Sequence, residues 1–312
     1  MKSMFRLVTL VLLLASVTVA GCGNSSGSPA APTQTSPSTP APSTPTSSGR
    51  LPLGTAAASS VACPGGSPTG SDCRRVSVSC PPIAPASATL RVSALGAGVA
   101  RRGTIILTTG GSGTLLNGNI GLARQMIDAF AGAGVVSVEI GWDEPGIWGG
   151  PQARTLACRY ATVARWVYDN LHAGGSGALF AAQGTSGGSS QIAFALTYYG
   201  LDAILALVNL GGGPPGCPLC SADGVHGPEP LLPAEPPAVN GEPQLAYPNT
   251  AVRFFLGANE PTPDIVTDAH AYFTAITSSN KTFTTVPGTP HDIETTQAGV
   301  DAYVLSVREV LK

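Results

Sequence analysis

Charge is scarce in this sequence. Only 11% of its 312 residues are Asp, Glu, Lys or Arg, and the formal net charge is −2. No block of like charge occurs, so nucleic acid finds no electrostatic footprint here. A run long enough to cross a bilayer is also missing: the leading apolar stretch covers residues 7–20, short of the roughly 20 residues a spanning helix needs. Histidine is rare, with four in the chain, which confines the search for a general base to His172, His226, His270 and His291. No Gly-Lys-Ser/Thr follows Gly110 and Gly111, which sets aside a phosphate loop. Cys217-Pro218-Leu219-Cys220 has no second cysteine pair at metal spacing. It reads as a local disulfide, and neither a metal nor a cofactor is implied.

What is present begins with a leader. Lys2 and Arg6 precede the apolar run, the charged-then-apolar layout of a secretory signal. The run ends in Val19-Ala20-Gly21-Cys22, which resembles the lipobox of bacterial lipoproteins. That resemblance implies cleavage of residues 1–21 as a signal peptide and acylation of Cys22. The protein would then be held at a membrane of the bacterial cell envelope, at its periplasmic or outer-membrane face. More than one acyl chain is needed for firm attachment. An ordinary cleaved signal with an incidental cysteine is the alternative. Residues 22–50 read as the acylated cysteine and a disordered tether. Between Gly23 and Gly49 no residue is charged and Ser, Thr, Pro, Gly and Ala dominate, a composition that cannot offset chain entropy by burial. Six cysteines follow Cys22: Cys63, Cys73, Cys80, Cys158, Cys217 and Cys220. An even number in an exported chain reads as disulfides, with the pairing open.

Residues 51–312 form one folded block. Residues 76–79 and 88–93 alternate apolar with polar, as half-buried strands do. Residues 103–109 are more uniformly apolar and β-branched than these, which suits a strand covered on both faces. Further strands are expected at 135–142, 178–183, 203–210, 251–256 and 282–286. Helical spacing appears from Leu122 through Met126 and Phe130, over 154–171, after Ser186, and over 265–276 and 297–311. Residues 211–249 hold ten prolines and read as an excursion that forms a stiff rim rather than core. Strands alternating with helices imply an α/β architecture, an eight-stranded, mostly parallel sheet with helices on both faces.

The fifth strand runs into Gly184-Thr185-Ser186-Gly187-Gly188, and a helical run starts at once. So tight a strand-to-helix turn strains the serine backbone, and glycines on either side remove colliding side chains. Gly23-Asn24-Ser25-Ser26-Gly27 fits the same pattern but has neither strand nor helix, so only the second copy has the context for chemistry. This second copy resembles the nucleophile elbow of the α/β-hydrolases, and the strand order over 75–312 resembles their fold.

The resemblance implies a serine esterase working through an acyl-enzyme intermediate. Ser186 is the nucleophile, and the acid and the histidine follow it in the chain. His291 lies in the loop after the last strand, where this fold carries its base, with His226 a distant second. Relatives commonly have Gly-x-x-Asp-Pro after the seventh strand, and this chain has Gly257-Ala258-Asn259-Glu260-Pro261. Glu260 therefore takes the acid's place, with Asp264 as the alternative acid. The oxyanion donors are Gly187 and Gly111, with Ser112 the alternative to Gly111. The substrate is a small-molecule ester, or a polymeric one if the protein is a polyester or plant-wall depolymerase. From another class, the chain would be a surface binding module that keeps the fold without the chemistry. Trp142 and Trp148 either line a subsite or pack as core. No protein partner is implied.

Overall fold

The computed structural model describes residues 50–111, 113–116, 121–144, 153–173, 177–214 and 243–311, all within the compact unit Ser47–Lys312. Cys22, the tether, Ser112, Trp148, Cys217, Cys220, His226 and most of the proline-rich excursion lie outside the described residues.

Nine strands are described, in the spatial order β1-β2-β3-β5-β4-β6-β7-β8-β9. They are β1 (Thr55–Val61), β2 (Asp72–Ser79), β3 (Ala86–Val92), β4 (Gly103–Thr108), β5 (Val135–Trp142), β6 (Leu179–Thr185), β7 (Leu207–Gly211), β8 (Ala251–Gly257) and β9 (Lys281–Val286). The pairs β1–β2, β2–β3 and β3–β5 are antiparallel. Every other pairing is parallel. The sheet is mostly parallel, as expected, but has one strand more than the eight anticipated. The added strand is β1, an edge of Ala, Ser, Thr and Val with a largely exposed surface. Its central Ala-Ala-Ala-Ser-Ser run has little strand propensity and no apolar–polar alternation to read, and the edge is held by its antiparallel register to β2.

Among the described residues five α-helices cover the sheet: α1 (Gly121–Gly132), α2 (Ala153–Asn170), α3 (Gly187–Tyr199), α4 (Pro263–Ala275) and α5 (Gln297–Val310). Strand periodicity sorts the core into two layers. Ile106, Val138, Phe180, Val208 and Phe254 face α2, α3 and α4. Ile105, Leu107, Ala181, Leu207 and Phe255 face α1 and α5, meeting Met126, Phe130, Tyr303 and Val307. Because β4 to β8 are apolar on both faces, they sit where both layers reach them.

Among the described residues two disulfides form, both at the antiparallel end. Cys63 pairs with Cys73, ten residues apart, and Cys80 with Cys158, 78 residues apart. The second ties the end of β2 to α2. Replacing both Cys80 and Cys158 by alanine should cost about 2–4 kcal/mol in urea unfolding, because a long loop is released in the unfolded chain. The same change at Cys63 and Cys73 should cost less, and an equal loss there would contradict the loop-length account.

Candidate active site

One residue separates β6 from α3, and that residue is Ser186. It makes the whole turn with φ 54° and ψ −122°, and is the one non-glycine with positive φ among the described residues. Such a conformation costs an L-residue on the order of 1–3 kcal/mol. The surroundings hold it there. The Ser186 amide donates to Gly211 O at the end of β7 (2.9 Å), and the Ser190 amide donates back to Ser186 O (3.1 Å). Ser189 Oγ lies 2.7 Å from both Gly184 O and Gly211 O. A methyl group at Gly184 would come within 2.5 Å of the Gly188 carbonyl carbon, and one at Gly188 within 2.7 Å of Thr108 Oγ1. Both glycines are therefore required by space, as the motif suggested. Ser186 is half-buried at the rim, with the N-terminus of α3 beneath it.

His291 and Glu260 meet. His291 Nδ1 lies 2.6 Å from Glu260 Oε2, whose side chain is 2% exposed while the ring is 25% exposed. Glu260 Oε1 also accepts a hydrogen bond from the Thr262 amide (3.1 Å). The two loops that carry these residues are joined along the backbone: the Asn259 amide donates to Thr289 O (2.9 Å) and the Ala258 amide to Val286 O (2.9 Å). Asp264 stands exposed in the first turn of α4.

The imidazole lies at the same end of the sheet as the elbow. A methyl at Gly212 would lie 3.2 Å from the ring's Cε1 and 3.3 Å from Nδ1. The neighbouring Gly211 is the residue that accepts the Ser186 amide. With Nδ1 turned to Glu260, Nε2 is the ring nitrogen left for chemistry.

Opposite the elbow runs the loop after β4. Gly111 faces Gly187, whose added methyl would lie 3.2 Å from the Gly111 nitrogen, and a methyl at Gly110 would lie 3.7 Å from Ser186 Oγ. This loop is pinned in several places. Thr109 Oγ1 donates to Thr114 O (2.6 Å), and the Trp142 amide donates to Gly113 O (2.7 Å). Arg91, 4% exposed, makes a two-pronged pair with Glu139 (2.8 and 2.7 Å) and reaches Leu116 O at 2.6 Å. Burial pushes the Glu139 carboxyl above its usual range, and Arg91 opposes that shift.

Between the two loops is a cleft of about 300 Å³, lined by Thr109, Gly110, Gly111, Ser186, Asp292 and Glu294, with Thr114, Leu115, Leu116 and Thr295. Glu294 had no signal in the sequence: an acid in the loop after a histidine reads as solvated, yet it is 8% exposed. The other two described histidines belong elsewhere. His172 Nδ1 is 3.0 Å from Thr104 Oγ1, against Tyr168 and Phe180. His270 is exposed on α4 and stacks on Phe283 at 4.2 Å. Trp142 is 5% exposed and packs in the core, so its ring is not a subsite wall.

Among solved structures, a putative hydrolase from Agrobacterium vitis S4 has a TM-score of 0.51 at 13% identity, over 84% of this chain and 100% of its own. The chain has the α/β-hydrolase fold. TT1662 from Thermus thermophilus (TM-score 0.49, 13% identity, 73% of this chain and 94% of that one) and Est1E from Butyrivibrio proteoclasticus (0.48, 12%, 75% and 95%) are also similar. No family model matches the sequence, and no curated protein matches it either. Within the α/β-hydrolase fold, the elbow, the His291–Glu260 pair and the Gly111 loop occupy strand ends on one side of the sheet, where ligands enter open α/β sheets.

Gly184→Ala and Gly188→Ala should each lower stability by about 2 kcal/mol or more, as a backbone collision at a strained turn does. Gly111→Ala meets open space and should stay within about 0.5 kcal/mol of the parent. Thermal unfolding of the three variants checks this, and equal melting temperatures for all would contradict the packing described.

Proposed function

We propose that the protein is a serine hydrolase that cleaves carboxylic esters through an acyl-enzyme. The observation that carries this reading is a strained, solvent-reachable serine at an elbow, at the same end of the sheet as a histidine whose Nδ1 lies 2.6 Å from a buried carboxylate. In this scheme Ser186 Oγ attacks the ester carbonyl carbon while its proton passes to His291 Nε2. The carbonyl's π electrons become an oxyanion held by the Gly111 and Gly187 amides. As the carbonyl re-forms, the C–O bond to the alcohol breaks and the alkoxide takes the proton from His291. Water then adds to the acyl-serine, giving a proton to His291, and the C–O bond to Ser186 breaks as that proton returns to the serine. Glu260 holds the ring with Nδ1–H towards itself and stabilises the transient imidazolium. The acid's role goes to Glu260 rather than Asp264, because Glu260 makes the contact and Asp264 is exposed.

A cleft of about 300 Å³ is at the small end of ligand pockets. This favours small or medium esters over a polymer chain. The protein's compartment enters the same proposal. The two described disulfides suit an oxidising location and with the leader support export; acylation of Cys22 is proposed from the Val19-Ala20-Gly21-Cys22 resemblance alone. The six residues at positions 7, 8, 10, 11, 12 and 13 are all Leu or Val, as an export signal's apolar centre requires.

The full chain treated with a fluorophosphonate should be labelled at Ser186, and Ser186→Ala should lose both labelling and p-nitrophenyl ester hydrolysis. Glu260→Gln should lower turnover by on the order of 10²–10⁴, while Asp264→Asn stays near the parent. Absence of an adduct on Ser186 in folded protein would favour the binding-module alternative. For the anchor, mass spectrometry of the mature protein from a bacterial host should find an acylated Cys22 as its first residue; an unmodified cysteine there would leave only a cleaved signal.

A further inference from the structure

Glu294 lies three residues beyond His291, within the single 3-10 turn Ile293–Thr295. Its Oε2 accepts a 2.6 Å hydrogen bond from Thr185 Oγ1, and that hydroxyl is also 3.3 Å from the Tyr303 hydroxyl. Thr185 is the residue immediately before Ser186. One buried carboxyl thus joins the segment that carries the histidine to the strand end that carries the serine, and it shares the cleft wall with Ser186.

We infer that Glu294 is a positioning residue of this site, a second carboxyl that locks the elbow to the His291 loop through Thr185 and, when ionised, favours the imidazolium formed there. This rests on the esterase reading above. Glu294 does not take the serine proton, which goes to His291. Its effect is electrostatic and geometric, exerted across a poorly solvated wall where charges are weakly screened.

The groups that face Glu294 come from three elements. Thr185 comes from β6, Tyr303 from α5, and Asp292 and His291 from its own loop, with Glu260 behind the ring. On the other side of the cleft are Thr109, Thr114, Leu115 and Leu116, none of them charged. Burial raises the Glu294 carboxyl above the usual carboxylate range. The Thr185 bond, its own backbone amide and His291 oppose the rise, and Asp292 adds to it. The neutral form therefore persists to higher pH than for an exposed acid, and the rate gain from the ionised form appears as pH rises through that titration.

The test follows the rate of fluorophosphonate labelling at Ser186 in the full chain across pH, with melting temperatures recorded for each variant. Because the histidine must be free to take the serine proton, labelling rises with pH in every variant, so the readout is the ratio of parent to variant rate. Glu294→Gln keeps an acceptor for Thr185 but no charge. Against it the ratio should climb, at a pH above the ordinary carboxylate range, from near one to on the order of ten, the equivalent of one pKa unit of interaction. Thr185→Val removes the donor that favours the ionised carboxyl, so its ratio should pass through a maximum over the pH span where the parent's carboxyl alone is ionised, which keeps the inference testable if Glu294→Gln does not fold. A ratio that stays flat with pH for Glu294→Gln, or for Thr185→Val, overturns the inference while labelling of the parent leaves the esterase reading intact. No labelling of the parent overturns both.

Discussion

The structure depends on holding one serine in a backbone conformation that serine avoids. Strain of that kind persists only where the surroundings over-determine it. Here β7 accepts the Ser186 amide, Ser189 ties α3 back to the ends of β6 and β7, and Gly184 and Gly188 let backbones approach to distances no side chain would permit. The two-sided hydrophobic core beneath serves the same end. It fixes β4, β6 and β7 as rigid neighbours, so the turn at their ends cannot relax without disturbing both layers.

The last two strands supply the other half of the site. Gly257 at the end of β8 packs so closely on the loop after β9 that a methyl there would lie 2.0 Å from Pro290 O. That contact brings the Glu260 loop and the His291 loop together before any side chain meets. Burying Glu260 and Glu294 next to one histidine carries a desolvation cost. Each is offset by hydrogen bonds: Glu260 by His291 and the Thr262 amide, Glu294 by Thr185.

Much of this was legible in the sequence because it is local. The elbow glycines, the apolar strand before them and the helix after them lie in one continuous stretch, and steric necessity leaves a compositional trace. The order of Glu260 and His291 along the chain, each in a loop after a strand, could also be read once the alternation of strands and helices was recognised. What stayed hidden depends on contacts between distant segments. Glu294 looks like any loop acid until Thr185, 109 positions earlier in the chain, donates a hydrogen bond to it. The pairing of Cys80 with Cys158 and the existence of β1 are hidden for the same reason. Trp142 was undecided between subsite and packing because aromatic residues serve both, and only its burial distinguishes them.

The Arg91–Glu139 pair ties the antiparallel end of the sheet to the wall of the candidate site at its centre. Arg91 belongs to β3, yet its guanidinium grips the carbonyl of Leu116 in the wall opposite the elbow. The opening strands are thus a buttress and not an ornament. Transplanting the parallel half alone into another scaffold would deliver the elbow and the imidazole with that wall left unmoored.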